Sequence, residues 1–283
     1  MAEFVASRRI GEAVVTVISD GTLRWAPKFQ ISEGERRRAM PDADESGTLT
    51  LGLNLAHVRL GDASIVIDPG LDEPSSAWAG EFAAKWPGLT RTPGLGAALR
   101  RIGAAPGDVT HVLITHAHED HLAGVAAGQG PNLTLRFPNA RHVIGRRDWE
   151  EHPARGNPDS ALVRRLGLAA QRGLLETVDE AREVAPGVTV IPAPGETAGH
   201  CIVRVVSGGR RFYYLGDLFH LSCEVEHVEW APPNRDVAAL AFSRRALLAE
   251  AAAHDSLLVF SHDRFPAWGR ITGSGDGYGW RRD

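Results

Sequence analysis

The sequence predicts a mixed fold, α/β or α+β, whose strands form meanders in mixed sheets with helices interspersed. Three observations predict it. Short β-branched or apolar runs bounded by Asp-Gly, Gly-Asp or Pro-Gly recur along the chain. Between them lie segments with apolar residues at helical spacing, as in GLGAALRRIGA with Leu95, Leu99 and Ile102. No low-complexity linker or short-period repeat interrupts the 283 residues, so 1–283 is expected to form one domain with a sizeable core.

The elements follow in order. Residues 13–19 form a β-branched strand that is expected to end at the Asp20-Gly21 turn. Residues 22–47, with Trp25, Pro27 and Phe29 followed by a charged stretch, read as an irregular N-terminal loop. Residues 48–59 and 64–67 make a hairpin closed by Gly61-Asp62, and its second strand stops at Asp68-Pro69-Gly70. Helices are expected at about 75–86 and 94–103. The apolar run 109–115 suits a buried strand. Beyond it come a strand at about 141–145, helices at about 147–153 and 159–172, and strands at 188–192, 202–207 and 211–216. A helix at about 236–253 leads to a last strand, 256–260, and the Gly-rich C-terminal tail, 273–279, reads as flexible or loosely packed.

Composition narrows the function. A net charge of −4 and a pI near 6.3 exclude a nucleic-acid partner that would call for a basic face. The basic run Arg36 to Arg38 sits beside acidic residues and reads as a solvated loop. No apolar run approaches the roughly 20 residues of a membrane-spanning helix, and the N-terminus lacks the layout of a secretory signal. The two cysteines, Cys201 and Cys223, have no CxxC spacing, so free thiols in a reducing cytoplasm are expected.

The chain has 12 histidines, about twice ordinary usage, and they cluster. THAHEDHLAG carries His116, His118, Asp120 and His121 directly after the apolar run 109–115. Alternate positions of extended backbone point to one side, so His116 and His118 can bind one ion together. Asp120 and His121 follow once the chain turns and can address a second. Imidazole and carboxylate suit zinc, and also iron or manganese. A lone histidine is better read as packing; three with an aspartate in six residues are better read as metal ligands. Three further elements end in candidate ligands. The glycine-punctuated loop PGETAGH ends at His200, the run RFYYLG delivers Asp217, and the last strand delivers His262.

This pattern, HxHxDH followed by a distal His, an Asp and a last His, resembles the metallo-β-lactamase superfamily over about residues 14–268. The resemblance implies a four-layer αβ/βα sandwich of two mixed sheets flanked by helices. It implies that His116, His118 and His200 hold one divalent ion, that Asp120, His121 and His262 hold a second, and that Asp217 bridges them. Asp68 matches a position that orients a ligand histidine. The implied activity is cleavage of a lactone, carboxylic ester or phosphotriester by a hydroxide shared between the two ions, zinc first and iron or manganese as alternatives. Asp120 would relay a proton.

Within the family the nearest likeness is to quorum-quenching lactonases and the methyl parathion hydrolase group, on Ser19-Asp20-Gly21, GDLFH and SHDRFPAWGRI. Acyl-homoserine lactonases carry Tyr three residues after the bridging Asp. This chain departs from them with His220, nearer the parathion-hydrolase-like group, and His220 is a candidate donor to a substrate oxygen. Trp25, Phe29, Phe219, Trp230, Phe265 and Trp268 are candidates for an apolar wall, with core packing the alternative for each. Two other readings stand beside the hydrolase: a glyoxalase II-like thioester hydrolase, and a non-catalytic metal-binding relative. The expected partner is a small-molecule substrate, with no nucleic acid and no membrane. The stretch 22–47 is a candidate lid or arm of a homodimer.

Overall fold

The computed structural model describes residues 3–275 and 277–283. Two mixed sheets lie face to face. The first runs in spatial order Val5–Ile10, Ala13–Trp25, Leu49–Leu60, Ala63–Ile67, His111–Leu113, Arg141–Gly145 and Leu175–Val178, with Thr90–Arg91 paired to Ala13–Trp25. Its first four strands pair antiparallel and the remainder join in parallel. The second runs Arg182–Ala185, Val188–Pro192, Cys201–Ser207, Arg210–Tyr214, Leu257–Val259, Trp268–Ser274 and Gly277–Arg282. Only Arg210–Tyr214 and Leu257–Val259 pair in parallel there.

Strand alternation sends successive side chains to opposite faces, and here both faces are buried. Val143 of the first sheet packs against the second sheet, and Ile144 packs against helices. Phe212 and Tyr214 face the first sheet, while Tyr213 turns to the helix Val237–Ala253. The same split separates Leu257 and Val259 from Leu258. Leu95 and Leu99 of the helix Gly94–Arg101, with Leu162 and Leu166, cover the first sheet. Each such side chain stabilises the fold by about 1.5–3 kcal/mol over leaving it in water. The result is helix, sheet, sheet, helix: the four-layer αβ/βα sandwich of the metallo-β-lactamase fold.

Parallel pairing places the C-terminal ends of neighbouring strands on one rim. Ala63–Ile67 and His111–Leu113 are such neighbours, and they deliver Asp68 and the segment Thr115 to His121. Arg210–Tyr214 and Leu257–Val259 deliver Asp217 and His262 from the other sheet. Two strand pairs thus converge on one end of the sandwich.

Three expectations differ from the structure. The strand expected at 13–19 does not turn at Asp20-Gly21 but continues to Trp25, shifting register between Ser19 and Gly21, and a strand Val5–Ile10 precedes it. Glycine is required at 21, because φ is 148° and a Cβ would stand 2.0 Å from the Thr90 carbonyl oxygen. The stretch 22–47 is only partly irregular. It holds the helix Glu33–Ala39, started by a capping box in which Ser32 accepts from Glu35 N and Glu35 accepts from Ser32 N. Phe29 and Met40 seat the stretch on Leu49, Leu51 and Leu53. The Gly-rich tail forms a hairpin, Trp268–Ser274 with Gly277–Arg282; Asp276 lies outside the described residues. Ile271, Tyr278 and Trp280 anchor it to the core under Val237–Ala253, which outweighs the glycines' flexibility. Among the described residues, no helix is long and apolar enough to cross a membrane. Cys201 is buried, Cys223 is half-buried, and both are free thiols.

Two buried histidines outside the rim give the fold an acid limit. Burial pushes His57 and His142 down to about 4. An unfolded imidazole takes its proton near 6.5, so between those values the unfolded chain binds more protons and stability falls with falling pH. Each histidine should cost about 2 kcal/mol by pH 5. Urea midpoints measured from pH 7 to pH 5 should drop accordingly, and His142→Gln should flatten the slope. A midpoint independent of pH would contradict this.

Candidate metal centre

The rim gathers His116, His118, Asp120, His121, Asp217, His220 and His262 around one volume. His116 is fully buried and Asp217 and His121 nearly so, while Asp120 keeps 19% of its side chain exposed. The imidazoles are aimed by hydrogen bonds from their outer nitrogens. His121 Nδ1 donates to Asp68 Oδ2 at 2.8 Å, and His262 Nδ1 donates to the Gly52 carbonyl at 2.9 Å. His200 Nδ1 donates to the Ala193 carbonyl at 3.1 Å. The Thr115 hydroxyl donates to Asp68 Oδ2, which leaves its lone pair for His116 Nδ1–H at 3.0 Å. Each of these rings therefore turns its Nε2 inward, as a metal ligand does, although that of His200 is met by the Asp217 backbone N–H.

The spacing of the inward atoms tests whether an ion fits. Bonds of about 2.1 Å in a tetrahedron put ligand atoms about 3.4 Å apart. Asp120 Oδ2 lies 3.6 Å from both His121 Nε2 and His262 Nε2. Asp217 Oδ1 lies 3.2 Å from His121 Nε2, and Asp217 Oδ2 lies 3.2 Å from His262 Nε2 and 3.5 Å from His116 Nε2. His116 Nε2 and His118 Nδ1, at 2.7 Å, stand well inside such an edge. His121 Nε2 and Asp217 Oδ1 are buried with no hydrogen-bond partner, a costly state unless another group satisfies them. The donor set fits two divalent cations.

Electrostatics agree. Burial raises and the surrounding imidazoles lower the Asp217 pKa, and the imidazoles win, holding it well below the carboxylate range. Burial lowers His121, yet the carboxylates of Asp217, Asp120 and Asp68 drive it well above its ordinary value. His262 and His220 rise in the same way, against burial, His262 chiefly through Asp217 and His220 through Glu196 and Asp217. Burial depresses His116, His118 and His200. The centre demands positive charge on the side of Asp217.

His200 stands beside the volume rather than within the tightest groups. Its ring lies 5.2 Å from that of His116, and its Nε2 accepts from the Asp217 backbone N–H at 3.2 Å. Gly216, at φ 52°, admits it: a Cβ there would come within 2.9 Å of His200 Nε2.

Three residues at the site went unread in the sequence. Glu196, inside the PGETAGH loop, lies buried within reach of His118, and its charge among small residues was the signal. Arg235 pairs with it at 2.5 Å. Asp148 is buried and ties the two ligand loops together. Its oxygens accept from Ala117 N at 2.8 Å, Gly199 N at 2.7 Å and the Thr197 hydroxyl at 2.8 Å.

The centre opens into a cavity of about 750 Å³. One wall is apolar, made by Leu23, Trp25, Leu51, Phe82 and Trp86. Of the aromatics singled out in the sequence, only Trp25 lines it. Phe29 and Trp230 pack behind Trp25, Phe219 and Trp268 belong to the core, and Phe265 packs against it. His220 forms the floor, stacked between Trp25 (5.4 Å) and His262 (5.5 Å), with Nε2 3.4 Å from Asp217 Oδ2.

Comparison with known proteins places this geometry. The family model described as the metallo-beta-lactamase superfamily matches residues 56–262. A probable metallo-hydrolase of Mycobacterium bovis is 28% identical over 135 residues, 43% of this chain and 41% of the relative. An N-acyl homoserine lactonase of Azorhizobium caulinodans is 32% identical over 78 residues, 28% of this chain and 26% of the relative. The matches thus span about 41% and 26% of the curated relatives' length. Among solved structures, AidC, a dizinc quorum-quenching lactonase, aligns with TM-score 0.78 at 22% identity, covering 99% of this chain and 97% of that one. The hydrolase AbOPH aligns with TM-score 0.80 at 20% identity, covering 100% and 98%. At those identities the likeness shows a shared fold.

Proposed function

The chain belongs to the metallo-beta-lactamase superfamily, and from that premise we propose that it is a two-metal hydrolase cleaving a lactone, carboxylic ester or phosphotriester that carries an apolar group. The observation that carries the reading is the constellation of five inward histidines, His116, His118, His121, His220 and His262, with the carboxylates of Asp120, Glu196 and Asp217, set in the floor of a cavity with an apolar wall. His116, His118 and His200 are assigned to one ion, Asp120, His121 and His262 to the other, and Asp217 to both. Zinc is the first choice on donor type, supported by the dizinc AidC, with iron and manganese as alternatives. Bound there, the ions supply Lewis acidity and lower the pKa of water from near 16 to about 7.

The protein's own residues do the rest. Leu23, Trp25, Leu51, Phe82 and Trp86 hold the apolar group of the substrate and exclude water from it. Asp120, open to the cavity, takes a proton on its free oxygen and returns it to the leaving group. His220 donates from Nε2 to a substrate oxygen. It is held for this by its stack on Trp25 and by Glu224, which accepts the backbone N–H groups of His220 and Leu221 at 2.5 and 2.7 Å. Arg244, fully buried, fixes Glu224 at 2.8 Å.

His220→Phe keeps the stack and removes the donor. Turnover should fall about a hundredfold with metal content unchanged. Turnover equal to that of the parent would make His220 a packing residue. The substrate class is tested by a panel: an acyl-homoserine lactone, a p-nitrophenyl ester, methyl parathion and a glutathione thioester. Hydrolysis of any of the first three supports the reading. Hydrolysis of the thioester alone favours the glyoxalase II-like alternative, and no turnover after metal reloading favours the non-catalytic one.

A further inference from the structure

We infer that Glu196 is a third carboxylate of the centre, binding the ion held by His116 and His118, with Arg235 as the cation that competes for it. The inference rests on the two-metal reading above. Glu196 has no exposed side-chain surface, and neither carboxylate oxygen has a hydrogen-bond partner. Arg235 stands 2.5 Å from Oε1, yet in a geometry that makes no hydrogen bond. Burying a carboxylate costs several kcal/mol, and a purely structural Arg–carboxylate pair offsets this best through two parallel hydrogen bonds. That arrangement is not what the residue adopts.

Oε1 instead lies 3.6 Å from His118 Nδ1 and 3.8 Å from His220 Nε2. Those separations exceed a hydrogen bond and approach the edge of about 3.4 Å that an ion imposes on its ligands. One atom each from His116, His118, Glu196 and Asp217 falls within a mutual span of 4.8 Å. His200, on the same side, has its Nε2 engaged by the Asp217 N–H. Glu196 therefore offers the additional donor there. Its position, four residues before His200 in the same glycine-punctuated loop, lets one loop supply both. A hard oxygen donor shifts a site from zinc toward manganese.

The test is chelator competition for zinc and for manganese on the full chain, comparing the parent with Glu196→Gln and Arg235→Gln. Glu196→Gln should weaken one of the two ions at least tenfold, manganese more than zinc. Arg235→Gln should tighten the same ion, because a competing cation is gone. A structural pair predicts that both variants shift affinity in the same direction, or not at all, and either result overturns the inference. If the parent binds two ions and Glu196→Gln matches it, only this inference fails; if the parent binds fewer than two, the two-metal reading fails with it.

Discussion

Asp217→Ala is expected to leave the protein with at most one weakly held ion and to lower kcat/KM at least about a thousandfold. The reason is geometric. One oxygen of Asp217 faces His121 at 3.2 Å, and the other faces His116 at 3.5 Å and His262 at 3.2 Å, so a single side chain serves both halves of the centre. Alanine removes the carboxylate that faces imidazoles from both sheets most closely. The variant should still fold, since the strand Arg210–Tyr214 and its core contacts are untouched. Elemental analysis with kinetics on the purified variant checks this, and two tightly bound ions in Asp217→Ala would show the bridging assignment to be wrong.

Asp148→Ala is expected to destabilise the fold by about 3–5 kcal/mol and to weaken metal binding, although Asp148 is itself no candidate ligand. Its carboxylate joins the loop after His116 to the loop before His200 through three hydrogen bonds. Removing it strands the buried Ala117 N–H, at about 1–3 kcal/mol, and the half-buried Gly199 N–H and Thr197 hydroxyl, at less for each. The packing there is too tight for other side chains to take over: a Cβ on Gly199 would meet Asp148 N at 2.3 Å, and one on Gly145 would meet the Gly199 carbonyl oxygen at 1.8 Å. Denaturant midpoints and metal affinity should fall together. Unchanged stability would mean that the two loops are held independently.

Most of the candidate ligands that the structure brings together were marked in the sequence because they follow an apolar strand, and strand ends are fixed by local pattern. His116 to His121 follow THVLIT, Asp217 follows RFYYLG, and His262 follows the strand Leu257–Val259. What could not be read depends on pairings between distant segments. Asp148 sits on a short helix with no motif, and its role exists only because Gly145 and Gly199 let two loops touch. The cavity wall escaped for a similar reason. Phe82 and Trp86 belong to the helix Ala77–Lys85 and its end, where the spacing marks a helix but gives neither aromatic a role, and only the fold turns them toward Trp25. The hairpin at 268–282 was hidden by its glycines, because Gly269 gives no sign in sequence of the Trp280 ring lying across it. The helix Glu33–Ala39 did carry a signal, Ser32 followed three residues later by Glu35, masked by the charged run after it.

The most direct test of the two-metal reading is elemental analysis of the full chain purified without chelator, with hydrolysis of the preferred panel substrate followed on the same sample. The account predicts about two divalent ions per chain, and turnover that is lost on chelation and returns with zinc or manganese. One ion or none, with no turnover after either metal is restored, would contradict it.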